Sequence, residues 1–174
     1  MNRLRVAARL LSIVWALGSP NPMLSGQIIA GTPEDKVFQQ LTAETSPDSK
    51  LRILIDFENQ FPHSKALPDV YLMMIDVYRQ RSDRSKIIEY GEKTLKIDQN
   101  NVTAMMAVSR NYALEGKNLD RAVTLAEQAV SLVDKMKLQS TPARFTDTQW
   151  KDYLQNTEAA ARSILQYAKT IRGR

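Results

Sequence analysis

From residue 32 onward, apolar residues recur at three- and four-residue intervals, the period of helices with one buried face. "TPEDKVFQQL" opens with Thr32 as an N-cap, Pro33 at the first helical position and Asp35 in the first turn. A second helix is expected from Ser46-Pro47 to about Phe61. Its stripe is Leu51, Leu54, Ile55 and Glu58, extended by Phe57 and Phe61, and Pro62 ends it by disfavouring helix at Phe61. A third enters through Pro68 and sets Tyr71, Met74, Ile75 and Tyr78 on one face. The fourth, "KIIEYGEKTLKIDQNN", turns Ile87, Ile88, Leu95 and Ile97 inward and closes on Asp98-Gln99-Asn100-Asn101. A fifth starts at once, from Val102 to Glu115, and stops at Gly116. The sixth, "LDRAVTLAEQAVSLVDKMK", carries Ala122, Val123, Ala126, Ala129, Val130 and Val133 on one stripe. No segment alternates strongly enough to be a strand, so the expected fold is all-α with no β-sheet.

The immediate restart after Asn101 follows a schedule. Tyr78 to Tyr112, Leu72 to Met106 and Met74 to Val108 are each 34 residues apart. In the partner helices Ile88 to Val123 and Leu95 to Val130 are 35 apart, which places one extra residue around "EGKNLD". A 34-residue period made of two helices is the signature of tetratricopeptide repeats.

The residues themselves resemble that family over 68–137. "LKIDQNN" is similar to the family's repeat end, with Gln99 in place of the usual proline, and "IEYGEK" to its second helix. Tyr78 and Tyr112 sit at the family's tyrosine, Gly116 at its inter-helix glycine, and Ala122 and Ala129 at the small residues of the close helix crossing. The first repeat departs there, with Ile75, Ile87 and Thr94 where Gly or Ala is usual; larger side chains push the helices apart unless Gly91 relieves them. The resemblance implies a right-handed superhelical stack of antiparallel helix pairs, an α-solenoid over 32–137 with clear repeats at 68–101 and 102–137. Residues 46–67 read as a preceding second helix of looser register.

Beyond Pro142, Thr146 to Gln149 reads as a capping box. Trp150, Tyr153, Leu154, Thr157, Ala161, Ile164, Leu165, Ala168 and Ile171 then keep helical spacing to the end, which makes 146–172 one long helix. It is either a capping helix or the first helix of a further repeat. The second reading is preferred, with self-association of the isolated chain through the exposed stripe.

The first residues read as an address. "MNRLR" and Arg9 precede the apolar run Leu10 to Leu17, a secretory h-region too short to span a bilayer. The alternative, an ordinary amphipathic helix, fits Arg9 and the Pro20/Pro22 pair less well. Residues 1–26 are therefore expected to be a signal peptide, cleaved after Gly18 or Gly26, leaving a periplasmic or secreted chain with no stable membrane span. Removing three arginines and no acids lowers the formal charge from +5 to +2, which gives no reason to expect nucleic acid. The absence of cysteine excludes disulfides, thiolate zinc sites, cysteine nucleophiles and a lipid-anchored cysteine.

Candidate chemistry is thin. His63 is the only histidine, in the turn "FPHS" with no metal-ligand partner at helical spacing, and no glycine-rich phosphate loop is present. Asp69 and Asp76 stand two helical turns apart, a pairing common on solvated faces. "NVT" at Asn101 fits a glycosylation sequon but reads more simply as the repeat boundary, and the stripe assigns Trp150 to the core rather than to a ligand platform. No catalytic, metal or cofactor site is expected. By resemblance to the family's geometry, the first helices line a concave groove. The candidates facing it are Asp69, Leu72, Asp76 and Arg79, then Thr103, Met106, Arg110 and Leu114. The expected function is a non-enzymatic, exported scaffold that binds a peptide or partner protein there. The alternative is an accessory repeat region of a longer multi-domain protein or enzyme complex.

Overall fold

The computed structural model describes residues 31–143 and 145–173, and the signal-peptide reading of 1–26 lies outside them. Seven helices account for most of the described residues: α1 (Pro33–Ala43), α2 (Pro47–Gln60), α3 (Leu67–Gln80), α4 (Arg84–Ile97), α5 (Val102–Glu115), α6 (Leu119–Met136) and α7 (Asp147–Arg172). There is no strand among the described residues. Each helix packs on the next, and α3–α5 and α5–α7 also pack directly. The even-numbered helices reach one another through side chains instead: Lys93 of α4 meets Glu58 of α2, and Arg121 of α6 meets Glu92 of α4. The odd-numbered helices from α3 to α7 thus form one continuous row. This repeat-like, all-helical order fits a helical solenoid.

The helix ends explain the tight schedule. Thr32, Ser46 and Thr146 cap α1, α2 and α7 by accepting backbone N–H bonds from Asp35, Ser49 and Gln149, and Gln149 returns the bond to complete the capping box. Between α4 and α5 the side chains of Asp98 and Asn101 replace a loop. Asp98 accepts from the Asn100 N–H and the Asn101 side-chain amide, while the Asn101 oxygen accepts from the Ala104 N–H. Asn101 is buried, so no water substitutes for it. Asn101→Ala is expected to cost about 1–2 kcal/mol, the loss of an N-cap, and a urea titration followed by circular dichroism reads it.

The two inter-helix turns carry the extra residue where the spacing puts it. The left-handed residues Ser82 (φ 56°) and Gly116 (φ 65°) stand 34 apart, and the following N–H groups of Asp83 and Lys117 bond back to the Tyr78 and Tyr112 carbonyls. The N-caps Asp83 and Asn118 are 35 apart, because Lys117 intervenes and Asn118 takes a second left-handed conformation (φ 48°). The chain direction is restored after one residue of slack.

Packing follows the stripes with two exceptions. Phe57, Leu54, Met74, Val70, Val108, Leu125 and Val133 are essentially sealed from solvent. Ile97, expected inward, is 52% exposed, and Ile55 is 36% exposed. Ile97 is the last residue of its helix, past the face that Leu95 buries. On α2 the buried face is Leu51, Leu54 and Phe57, and Ile55 stands off it. At the α4–α5 crossing, Gly91 is the close-contact residue: a Cβ there would press into Val108 Cγ2. The larger Thr94 is accommodated beside it, buried with its hydroxyl donated to the Tyr90 carbonyl.

The long helix α7 does not leave its stripe open. Trp150, Leu154, Thr157, Ala160, Ala161, Ile164 and Ala168 are buried, and the helix packs on α5 and α6. Its register against α6 is marked by ion pairs in antiparallel order: Lys137–Glu158, Asp134–Arg162, Glu127–Lys169 and Asp120–Arg172. Solvent screens such exposed pairs, so apolar burial holds the helix and the charges choose its register. Its outer positions, including Asp152, Gln155, Asn156 and Gln166, are exposed and polar. The stripe expected to drive self-association is spent within the chain.

Candidate partner-binding surface

The eight residues expected in the groove divide sharply. Asp69 (9% exposed) and Met106 (5% exposed) are interior, because α3 and α5 are covered there by their neighbours. Leu72 and Thr103 are half-buried, and Leu72 packs against both large apolar clusters, joining the first helices to the last three. Asp76, Arg79, Arg110 and Leu114 reach solvent to different degrees. These four lie toward the C-terminal halves of α3 and α5, on the row of odd-numbered helices.

Charge organises this end of the row. Asp76 Oδ1 pairs with Arg79 Nη2 at 3.1 Å. Burial raises the Asp76 carboxyl above the usual carboxylate range, and the Arg79 guanidinium partly offsets it. Arg110 is lowered below the ordinary arginine value, first by burial and then by the positive charges of Arg79 and Arg84, with the Tyr167 hydroxyl acting the other way. Arg110 Nε is buried and has no hydrogen-bond partner. Arg84 and Tyr167 thus contribute, with Arg79, to the electrostatic environment of Arg110.

Sequence reasoning missed both. Arg84 opens α4, the second helix of its pair, and so lies outside the first-helix positions that the family's geometry places in the groove. Tyr167 sits on α7, whose direction relative to α5 no short-range pattern specifies. The polar residues weighed for catalysis do not converge. Asp69 and Asp76 face different environments, His63 is exposed, and no group of three His, Cys, Asp or Glu side chains stands ready for a metal among the described residues. Two hollows, one lined by α4, α5 and α6 and one by α6 and α7, hold none of the eight residues. Among the described residues no helix is long and apolar enough to cross a membrane.

Comparison with protein-family models, curated proteins and solved structures finds no match for this chain.

Proposed function

We propose that the chain is a non-enzymatic protein-interaction scaffold that holds a peptide or partner protein along α3, α5 and α7. In this reading the helix pairs α3–α4 and α5–α6 are tetratricopeptide-like repeats in a right-handed superhelix, with α7 closing over them. The observation that carries it is the row itself. The odd-numbered helices from α3 to α7 pack directly on one another, and Arg79, Arg110 and Leu114 lie in the C-terminal halves of two of them. Mixed charge and apolar character suits a peptide, whose backbone and side chains offer both.

Residues 1–26 serve export in this proposal, and the mass of the protein recovered from cells tests that part separately. A retained Met1 would contradict it. For the binding surface, Arg79→Glu with Arg110→Glu is expected to leave the helical signal and melting midpoint nearly unchanged and to weaken partner recovery in a crosslinking pull-down by roughly tenfold. Equal recovery by the doubly substituted chain would remove this surface from the account.

A further inference from the structure

Successive helix pairs bring two sets of residues to equivalent points of the stack, and the two sets fill them differently. Tyr71 of α3 and Met105 of α5 are 34 residues apart. Tyr90 and Leu125, like Lys93 and Gln128, are 35 apart on α4 and α6. Where α2, α3 and α4 meet, the first set forms a plug. Lys93 Nζ stands 4.5 Å from the Tyr90 ring centre and 5.6 Å from that of Tyr71, and it donates to Glu58 Oε1 at 2.8 Å. The Tyr71 hydroxyl donates to the same oxygen at 3.0 Å, and the two rings lie 5.6 Å apart. Two rings and a lysine chain thus bridge α4 to α2.

Where α4, α5 and α6 meet, Met105, Leu125 and Gln128 stand in place of the rings and the lysine. They line a hollow of about 510 Å³. Small-molecule sites span roughly 300–1,000 Å³. Leu95, Met105 and Leu125, all buried, give the hollow an apolar lining. Its charged groups choose the sign of an occupant. Glu92, the one acid in the lining, already accepts from Arg121 Nη2 at 2.9 Å and from Arg121 Nε at 3.3 Å. Lys96 and Lys135 also line it, and neither makes an ion pair among the described residues. Each stands in the last turn of its helix, where the dipole favours a positive charge.

We propose that this hollow binds a small aromatic acid, its ring against Met105 and Leu125 and its carboxylate paired with the Lys96 and Lys135 ammonium groups. The ring supplies the bulk that Tyr71 and Tyr90 supply one helix pair earlier, and a methionine sulfur makes favourable contact with an aromatic edge. Each ammonium is a point charge with three donors on a flexible stem, able to follow the carboxylate. The site lies off the eight positions of the odd-helix row and does not depend on the partner-binding reading, so either can fail alone.

The test uses the full chain with methionine methyls labelled for NMR, the Met105 signal being assigned by its loss in Met105→Leu. Three probes are titrated: 3-phenylpropionate, the neutral 3-phenylpropanol and the ring-free hexanoate. The expected result is a saturable movement of the Met105 methyl with 3-phenylpropionate. 3-Phenylpropanol is expected to bind about tenfold more weakly, having lost the charge-assisted contacts. Hexanoate is expected to bind about fivefold more weakly, having lost the ring. Lys96→Gln with Lys135→Gln, both at exposed positions, is expected to weaken 3-phenylpropionate about tenfold and leave 3-phenylpropanol unchanged. Gln128→Trp, at an exposed position in the lining, fills the hollow from within and is expected to abolish binding while the helical signal is kept. A Met105 methyl that stays in place with 3-phenylpropionate would overturn the proposal. So would either control probe binding as tightly as 3-phenylpropionate.

Discussion

Trp150→Ala is expected to destabilise the chain by about 3–5 kcal/mol, the range for truncating a large buried aromatic. Trp150 is 7% exposed, stacks on Tyr153 at 5.3 Å with planes 13° apart, and meets Phe145 at 5.3 Å. It packs at the start of α7, so its loss frees the end of the helix that the ion pairs with α6 do not reach. Trp150→Phe separates packing from polarity. The indole Nε1 is buried with no partner, and phenylalanine removes that unsatisfied donor while keeping most of the apolar area. The Phe variant is expected to lose no more than about 1.5 kcal/mol, a value typical of swaps that keep most of the volume. Urea unfolding monitored by circular dichroism distinguishes the two. Similar small losses for both would mean that α7 is not packed as described.

Gly91→Ala is expected to cost up to about 2 kcal/mol even though alanine is the better helix former. On propensity alone the substitution would gain about 1 kcal/mol in a helix interior. Packing reverses the sign. The new Cβ would press into Val108 Cγ2, and Val108 is fully buried and β-branched, so it has no free rotamer to retreat into. Overpacking of this kind costs about 1–3 kcal/mol. Val108→Ala makes room for the Cβ, so the double variant is expected to lose clearly less than the sum of the single losses. Strict additivity in thermal or urea unfolding would show that the α4–α5 crossing is not as close as stated.

Those two sites show how the sequence carried the fold. Helix positions and caps were legible because they are local: Thr32, Ser46, Asn101 and Thr146 announce helix starts, and Gly116 a stop, from a few neighbouring residues. The intervals of 34 and 35 were legible because equivalent helix positions, such as Tyr78 and Tyr112 or Ile88 and Val123, carry similar residues. Contacts between distant helices were less so. Ile97 has the right residue type for the core, but its exposure depends on where α4 ends relative to its neighbours. The relief that Gly91 gives depends on Val108 arriving opposite it.

The candidate surface was legible only in part, for a related reason. Helical spacing puts Asp69 and Asp76, or Met106 and Arg110, near one face, but whether a member is covered depends on the helices stacked beside it. Asp69 and Met106 are covered, whereas Asp76 and Arg110 lie where the row opens. The electrostatic environment of Arg110 also includes Arg84 of α4 and Tyr167 of α7, which lie outside the helix that supplies Arg110. Such an environment is a property of the stack rather than of any stretch of chain.

The proposed seat of a protein partner is the row α3, α5 and α7. Site-specific photo-crosslinking tests it most directly. A benzophenone side chain is introduced at Leu114, on the row, and in a second chain at Ile97, on α4; both positions are exposed, at 37% and 52%, so neither substitution disturbs the core. Irradiated in the compartment where the chain resides, the Leu114 chain is expected to yield a discrete adduct that disappears with Arg79→Glu and Arg110→Glu, and the Ile97 chain none. An adduct from Ile97 with none from Leu114 would contradict the account.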